Sequence, residues 1–121
     1  MILVTSNKEK EILLFSFIGR VRRKELADSH DSTLRLLSEL SEGYRLITDL
    51  SAVEVIDPDC VHEISRTMQA CDEKGVGLLV RVIPDPSKDI GFKILSAFHY
   101  AHAPHTVTCE TMVEAAKALE L

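Results

Sequence analysis

The chain opens on a short apolar run, Ile2-Leu-Val4. The charged stretch Asn7-Lys-Glu-Lys-Glu11 separates it from a second run, Ile12-Leu-Leu-Phe-Ser-Phe-Ile18. Two runs of strand length joined by a polar turn predict a β-hairpin. Between residues 24 and 40 the period changes. Leu26, Thr33, Leu37 and Leu40, with Leu34 and Leu36 beside them, recur at helical spacing while Asp28, Asp31 and Arg35 take other faces, so this segment is expected to be a helix ending near Gly43.

Tyr44-Arg-Leu-Ile-Thr-Asp49 reads as a short strand, and Val53-Glu-Val-Ile56 as an apolar run leading to Asp57-Pro58. A second helix is expected there, with Asp57 as N-cap and Pro58 in the first turn, where its fixed φ and missing N–H are no handicap. Val61, Ile64, Met68 and Cys71 form its apolar stripe, His62, Glu63, Arg66, Gln69 and Asp72 point elsewhere, and Gly75 closes it. Residues 76–83 form a nearly continuous apolar run that suits a central strand covered on both faces.

Pro84-Asp85-Pro86 starts a third helix that buries Ile90, Ile94, Leu95 and Phe98. After Pro104 a short strand, Thr106-Val-Thr108, precedes a last helix opened by Thr111 and Glu114 at capping-box spacing, with Met112, Ala115, Ala116 and Leu119 facing inward. The order β-β-α-β-α-β-α-β-α implies one α/β domain over residues 1–121, with four or five strands, about four helices, and parallel pairings made by right-handed crossovers.

Composition narrows the function. With 121 residues, 45% of them hydrophobic, the chain can build one core. Lys and Arg total 14 against 19 Asp and Glu, and the net charge of −5 opposes a nucleic-acid backbone. The first residues lack the apolar core of a signal peptide, and no run approaches the length needed to cross a bilayer, so the chain is expected in the cytoplasm and off the membrane. Cys60, Cys71 and Cys109 have no CxxC spacing and are expected as reduced thiols.

Several motifs carry candidate chemistry. Asp49, Asp57 and Asp59 would suit a cation or acid/base pair, but strand-end, cap and helix-dipole roles account for all three. His99, His102, His105 and Cys109 have metal-ligand chemistry, yet Pro104 separates the third histidine from the first two, so no metal site and no cofactor are expected. Cys60, at a helix start, is the sharpest nucleophile candidate, opposed by the two nearby carboxylates. Arg20, Arg22, Arg23 and Lys24 form a basic stretch able to meet an acidic partner, and Ser87 is a weak phosphosite candidate. No constellation converges on an enzyme active site.

The segment Leu46-Ile-Thr-Asp-Leu-Ser-Ala-Val-Glu-Val-Ile-Asp57 resembles the "Asp-Leu-Ser-x-Val, apolar pair, Asp" signature of the STAS domain family, named for sulfate transporters and bacterial anti-sigma-factor antagonists. Phe17-Ile-Gly-Arg-Val21 is similar to the family's Gly-x-Leu-Asp turn, residues 73–78 to its Lys-Gly-hydrophobic strand opening, and residues 111–119 to its final helix. The resemblance spans the chain. It implies a STAS-like mixed sheet and a regulatory interaction module whose partner is a kinase-like anti-sigma factor or another signalling protein. In the antagonists an Asp-Ser-Ser-Gly opens the second helix and its first serine is phosphorylated. Here the residues are Asp57, Pro58, Asp59 and Cys60, and Pro58 has no hydroxyl to accept a phosphate. The expected partner surface is Asp57, Pro58, Asp59 and Cys60 with His62, Glu63 and Arg66. The alternative is a small apolar or nucleotide ligand held between the sheet and the helix over residues 90–98, with a cavity under Phe92 or Phe98.

Overall fold

The computed structural model describes residues 1–83, 102 and 104–120. Its sheet has five strands in the order β1-β2-β3-β4-β5: β1 (Ile2–Asn7), β2 (Ile12–Val21), β3 (Tyr44–Ile56), β4 (Val76–Val82) and β5 (His105–Cys109). β1 and β2 form the expected antiparallel hairpin; β2–β3, β3–β4 and β4–β5 are parallel. The helices are α1 (Arg23–Ser38), α2 (Val61–Lys74) and α3 (Met112–Ala118). The expected helix over residues 90–98, with its Ile90, Phe92 and Phe98, lies outside the described residues, as do His99 and Ser87.

Two expected elements merge. Residues 44–49 and 53–56 belong to one 13-residue strand, β3. Its first half lies between β2 and β4, and its second half, among the described residues, pairs only with β2, through Ala52, Val53, Val55 and Ile56. Likewise, Phe17 to Val21 forms no turn: it continues β2, and Gly19, at φ 61, sits where the register with β3 shifts.

Side-chain alternation along β2 separates two cores. Leu13, Phe15 and Phe17 face α1 and α2 and are at most 1% exposed. They pack with Leu46, Val53 and Leu79 of the sheet, Leu26 and Leu37 of α1, and Ile64, Met68 and Cys71 of α2. Across the sheet, Ile12, Ile47, Val80 and Val82 meet Cys109 and, from α3, Ala115 and Leu119. β4 thus buries Leu79 on one face and Val80 and Val82 on the other, as its continuous apolar run implied.

The ends of the helices follow local chemistry. Gly75 takes φ 98 at the end of α2, the left-handed cap expected of it. At α3, Thr111 Oγ1 accepts from the Glu114 N–H at 3.2 Å, while the Glu114 carboxylate reaches the Glu110 N–H instead of completing the box on Thr111. Met112 is 39% exposed, against its expected inward place. The last turn of α3 is held by Arg45, which donates to the Leu119 carbonyl and to the Lys10 carbonyl, both at 2.7 Å. A guanidinium there also faces the negative end of the helix dipole.

Candidate functional site

Where β3 outruns β4, its C-terminal end feeds a tight 3-10 turn, Pro58–Cys60, which leads into α2. Proline suits this turn because its φ is already near the helical value. Asp57 does not cap it with its side chain. The carboxylate instead receives two bonds from the Arg20 guanidinium, at 2.9 and 3.1 Å, from the end of β2. That paired geometry orients both groups and raises the Arg20 pKa, chiefly through the Asp57 hydrogen bond. The Asp57 N–H donates to the Val21 carbonyl at 3.0 Å, so backbone and side chain together anchor the turn to β2.

Cys60 is the inner pin of the turn. It is fully buried, its N–H donates to the Asp57 carbonyl at 2.9 Å, and its thiol lies 3.5 Å from the Val21 carbonyl. Burial pushes its pKa up to about 11, with Asp59 and Asp57 adding to the shift. At neutral pH the thiol is therefore protonated, the reverse of what nucleophilic use of a helix N-terminus requires. Burial also pushes Cys71 up to about 12.

These shifts give a pH prediction. A thiol whose folded pKa exceeds its unfolded value contributes stability that is fully present below the ordinary thiol range, near pH 8.5, and is lost as pH rises toward the folded value. The free energy of unfolding measured in urea should fall between pH 9 and pH 11, and the double variant C60A/C71A should show a flatter dependence on pH. Equal slopes for the two proteins would remove the thiols as the cause.

Outward from this pin, Pro58 and Asp59 are exposed, and so are His62 and Arg66 on the first turns of α2. Glu63 departs from expectation: it is 7% exposed, because the third position of α2 turns toward α1 and not toward solvent. Its carboxylate lies 3.8 Å from the Arg23 guanidinium and 3.6 Å from that of Arg66, and Oε2 has no hydrogen-bond partner among the described residues. Glu63 is thus part of the helix–helix seam beneath the surface. Asp72 is likewise buried at 6%, with its Oδ2 2.8 Å from His102 Nδ1.

The other candidate groups are dispersed. Asp49 is in mid-strand, where its carboxylate accepts from the Ser51 N–H at 2.9 Å, so it does not join Asp57 and Asp59. His102 pairs with Asp72, His105 opens β5 in an exposed position, and Cys109 is buried beside α3. Among the described residues no group of three His, Cys, Asp or Glu side chains is placed to hold a metal. The basic stretch is largely used locally: Arg20 on Asp57, Arg23 beside Glu63, and Lys24 on Asp28 at 2.8 Å. His30, which periodicity alone did not single out, is buried between the helices with Nδ1 3.5 Å from Thr67 Oγ1.

Among the described residues, hollows lie on both sides of the sheet. One, of about 440 Å³, lies at the N-terminal ends of β3 and β4 and is bordered by Glu42, Asp72, Lys74 and His102. The other, of about 290 Å³, opens between the hairpin and α3, over Ile12, Leu14, Ile47 and Met112, with Lys10 at its rim. Among the described residues no helix is long and apolar enough to cross a membrane.

No family model and no curated protein matches the chain. Solved structures do. An anti-sigma factor antagonist, SpoIIAA in its unphosphorylated form, aligns at TM-score 0.64 and 11% identity over 99% of this chain and 98% of its own. A DUF3478-family protein with a SpoIIAA-like fold from Shewanella loihica PV-4 aligns at TM-score 0.68 and 9% identity, covering 98% and 92%. An anti-sigma factor antagonist from Mycobacterium paratuberculosis aligns at 0.56 and 17%, covering 100% and 94%. The chain has the SpoIIAA-like fold.

Proposed function

We propose that this chain is a STAS-type regulatory module that works inside the cell by binding a protein partner, not by catalysis. The observation that carries the reading is the Pro58-Asp59 turn: exposed, at the start of α2, and rigidly based on the Arg20–Asp57 pair and the buried Cys60. A preorganised turn limits the ordering cost of association. The partner surface is this turn with the outward side chains of His62 and Arg66. Glu63 supports it from below and Cys60 from within.

The partner class is a kinase-like anti-sigma factor or a related signalling protein, by analogy with the antagonists that share the fold. Pro58 and Asp59 offer no hydroxyl at the position of the antagonists' phosphorylated serine. Asp59 supplies a fixed charge there, so binding is constitutive and not phosphate-gated.

The test is a photo-cross-linking amino acid at position 59 or 62, with position 34 on exposed α1 as control, followed by affinity measurement on the captured protein. Capture of a kinase-like protein from positions 59 and 62 alone is expected. Asp59→Lys should weaken its binding at least about tenfold, or about 1.4 kcal/mol, without changing the circular dichroism spectrum. Equal capture from all three positions, or affinity unaffected by the charge reversal, would refute this surface.

The hollow over Ile12, Leu14 and Ile47 favours a second reading, a small apolar ligand with an acidic group at Lys10. Titration with decanoate would then shift the Met112 and Leu14 methyl resonances saturably. Unchanged methyl signals would dismiss it.

A further inference from the structure

The outer edge of β1 faces no strand among the described residues. Its pairing with β2 shows which backbone groups that edge presents. Met1 and Ile18 form a hydrogen-bonded pair, with the Ile18 N–H donating to the Met1 carbonyl at 2.8 Å. The β1–β2 register runs without a shift from Ile2–Phe17 to Asn7–Ile12. In an antiparallel ladder hydrogen-bonded and non-hydrogen-bonded pairs alternate, so Leu3, Thr5 and Asn7 spend their N–H and C=O groups on β2. Ile2, Val4 and Ser6 therefore aim theirs outward.

Natural edge strands carry charges, prolines or bulges that prevent edge-to-edge pairing. β1, Ile2-Leu-Val-Thr-Ser-Asn7, has none of these. Leu3 and Thr5 are exposed, Leu3 at 48%.

We infer that β1 pairs with β1 of a second copy, antiparallel and about a two-fold axis through Val4, joining two five-stranded sheets into one of ten. The register is self-complementary: Val4 bonds Val4 of the second copy, and Ile2 and Ser6 of each copy bond Ser6 and Ile2 of the other, so every outward N–H and C=O of the three residues finds a partner. This is the isologous arrangement a two-fold demands. Leu3 then lies across from Thr5 in a non-hydrogen-bonded pair, where side chains approach most closely. The strand carries no charge, so the net charge of −5 sets no like charges against each other within the ladder. A foreign strand could use the same donors and acceptors; the second copy is singled out because it brings an equally uncharged strand with its outward groups at Ile2, Val4 and Ser6 in phase.

Sedimentation equilibrium on the full chain from about 10 μM to about 1 mM should show the mass doubling with concentration. Across that range the amides of Ile2, Val4 and Ser6 should gain at least about tenfold protection from hydrogen exchange, while Leu3 and Thr5 stay protected throughout. The variant L3K/T5K alters two exposed side chains and sets lysines directly opposite one another; it should remain monomeric with an unchanged circular dichroism spectrum. A monomer at every concentration overturns the proposal. So does a dimer that persists in L3K/T5K or leaves Ile2, Val4 and Ser6 unprotected, because the contact then lies elsewhere. Protection of these amides only after a different protein is added would assign the edge to another chain and equally overturn self-pairing.

Discussion

Replacing Gly77 by alanine is expected to lower the unfolding free energy by about 3 kcal/mol, the upper range for forcing an extra methyl into a packed site. A Cβ at position 77 would stand 2.3 Å from the Gly43 carbonyl oxygen and 2.9 Å from its carbon. Both are backbone atoms. Gly43 cannot swing clear, because its N–H donates to the Gly75 carbonyl at 2.8 Å and Tyr44, the next residue, begins β3. With a urea m-value of about 1.5 kcal/mol/M the midpoint should fall by about 2 M. Gly19→Ala is the contrast. Among the described residues nothing lies within 4 Å of its added Cβ, and the φ of 61 is what resists, at about 1 kcal/mol. Equal midpoints for the two variants would mean that the crossing of residues 43 and 77 yields easily.

The second large effect comes from the asymmetry of the two cores. Phe17 is 1% exposed and sealed between the sheet and two helices, so Phe17→Ala should cost about 3–5 kcal/mol, combining lost burial with a cavity that cannot collapse. Leu14 lies two strand positions from both Ile12 and Ser16, on the opposite face and at the wall of an open hollow. Truncating it removes surface that water already reaches in part, and about 1 kcal/mol is expected. Chemical denaturation of both variants measures the difference. A Leu14→Ala loss as large as that of Phe17→Ala would mean that the α3 face is as tightly closed as the other.

The elements legible in the sequence were those whose signal is local. The hairpin, the stripe of Ile64, Met68 and Cys71, the Gly75 cap and the apolar run of β4 all follow from periodicity or from the needs of one backbone position. The resemblance carried by Leu46 to Asp57 also led to the right fold. What stayed hidden depends on partners remote in sequence. Asp57 has the sequence look of a cap, but Arg20, 37 residues earlier, takes its carboxylate. Glu63 reads as a surface residue because α1 cannot be seen from α2, and the buried Asp72 meets His102, 30 residues later. The unity of β3 was obscured by the polar residues Asp49 and Ser51, which a strand tolerates because Asp49 satisfies the Ser51 N–H. The exposed half of the candidate surface, Pro58, Asp59, His62 and Arg66, was legible; its buried footing was not.

The Arg45 clamp gives the C-terminal element a character of its own. A helix of seven residues, α3 is far too short to persist by propensity, so its place depends on Ala115, Leu119, the Thr111 cap and the two bonds from one guanidinium. Through Met112 it forms one wall of the hollow, while Arg45 ties its far end to the hairpin turn. An element held by so few contacts is expected to open at a lower free energy than the sheet, so amide exchange in α3 should be faster than in β2 and β3.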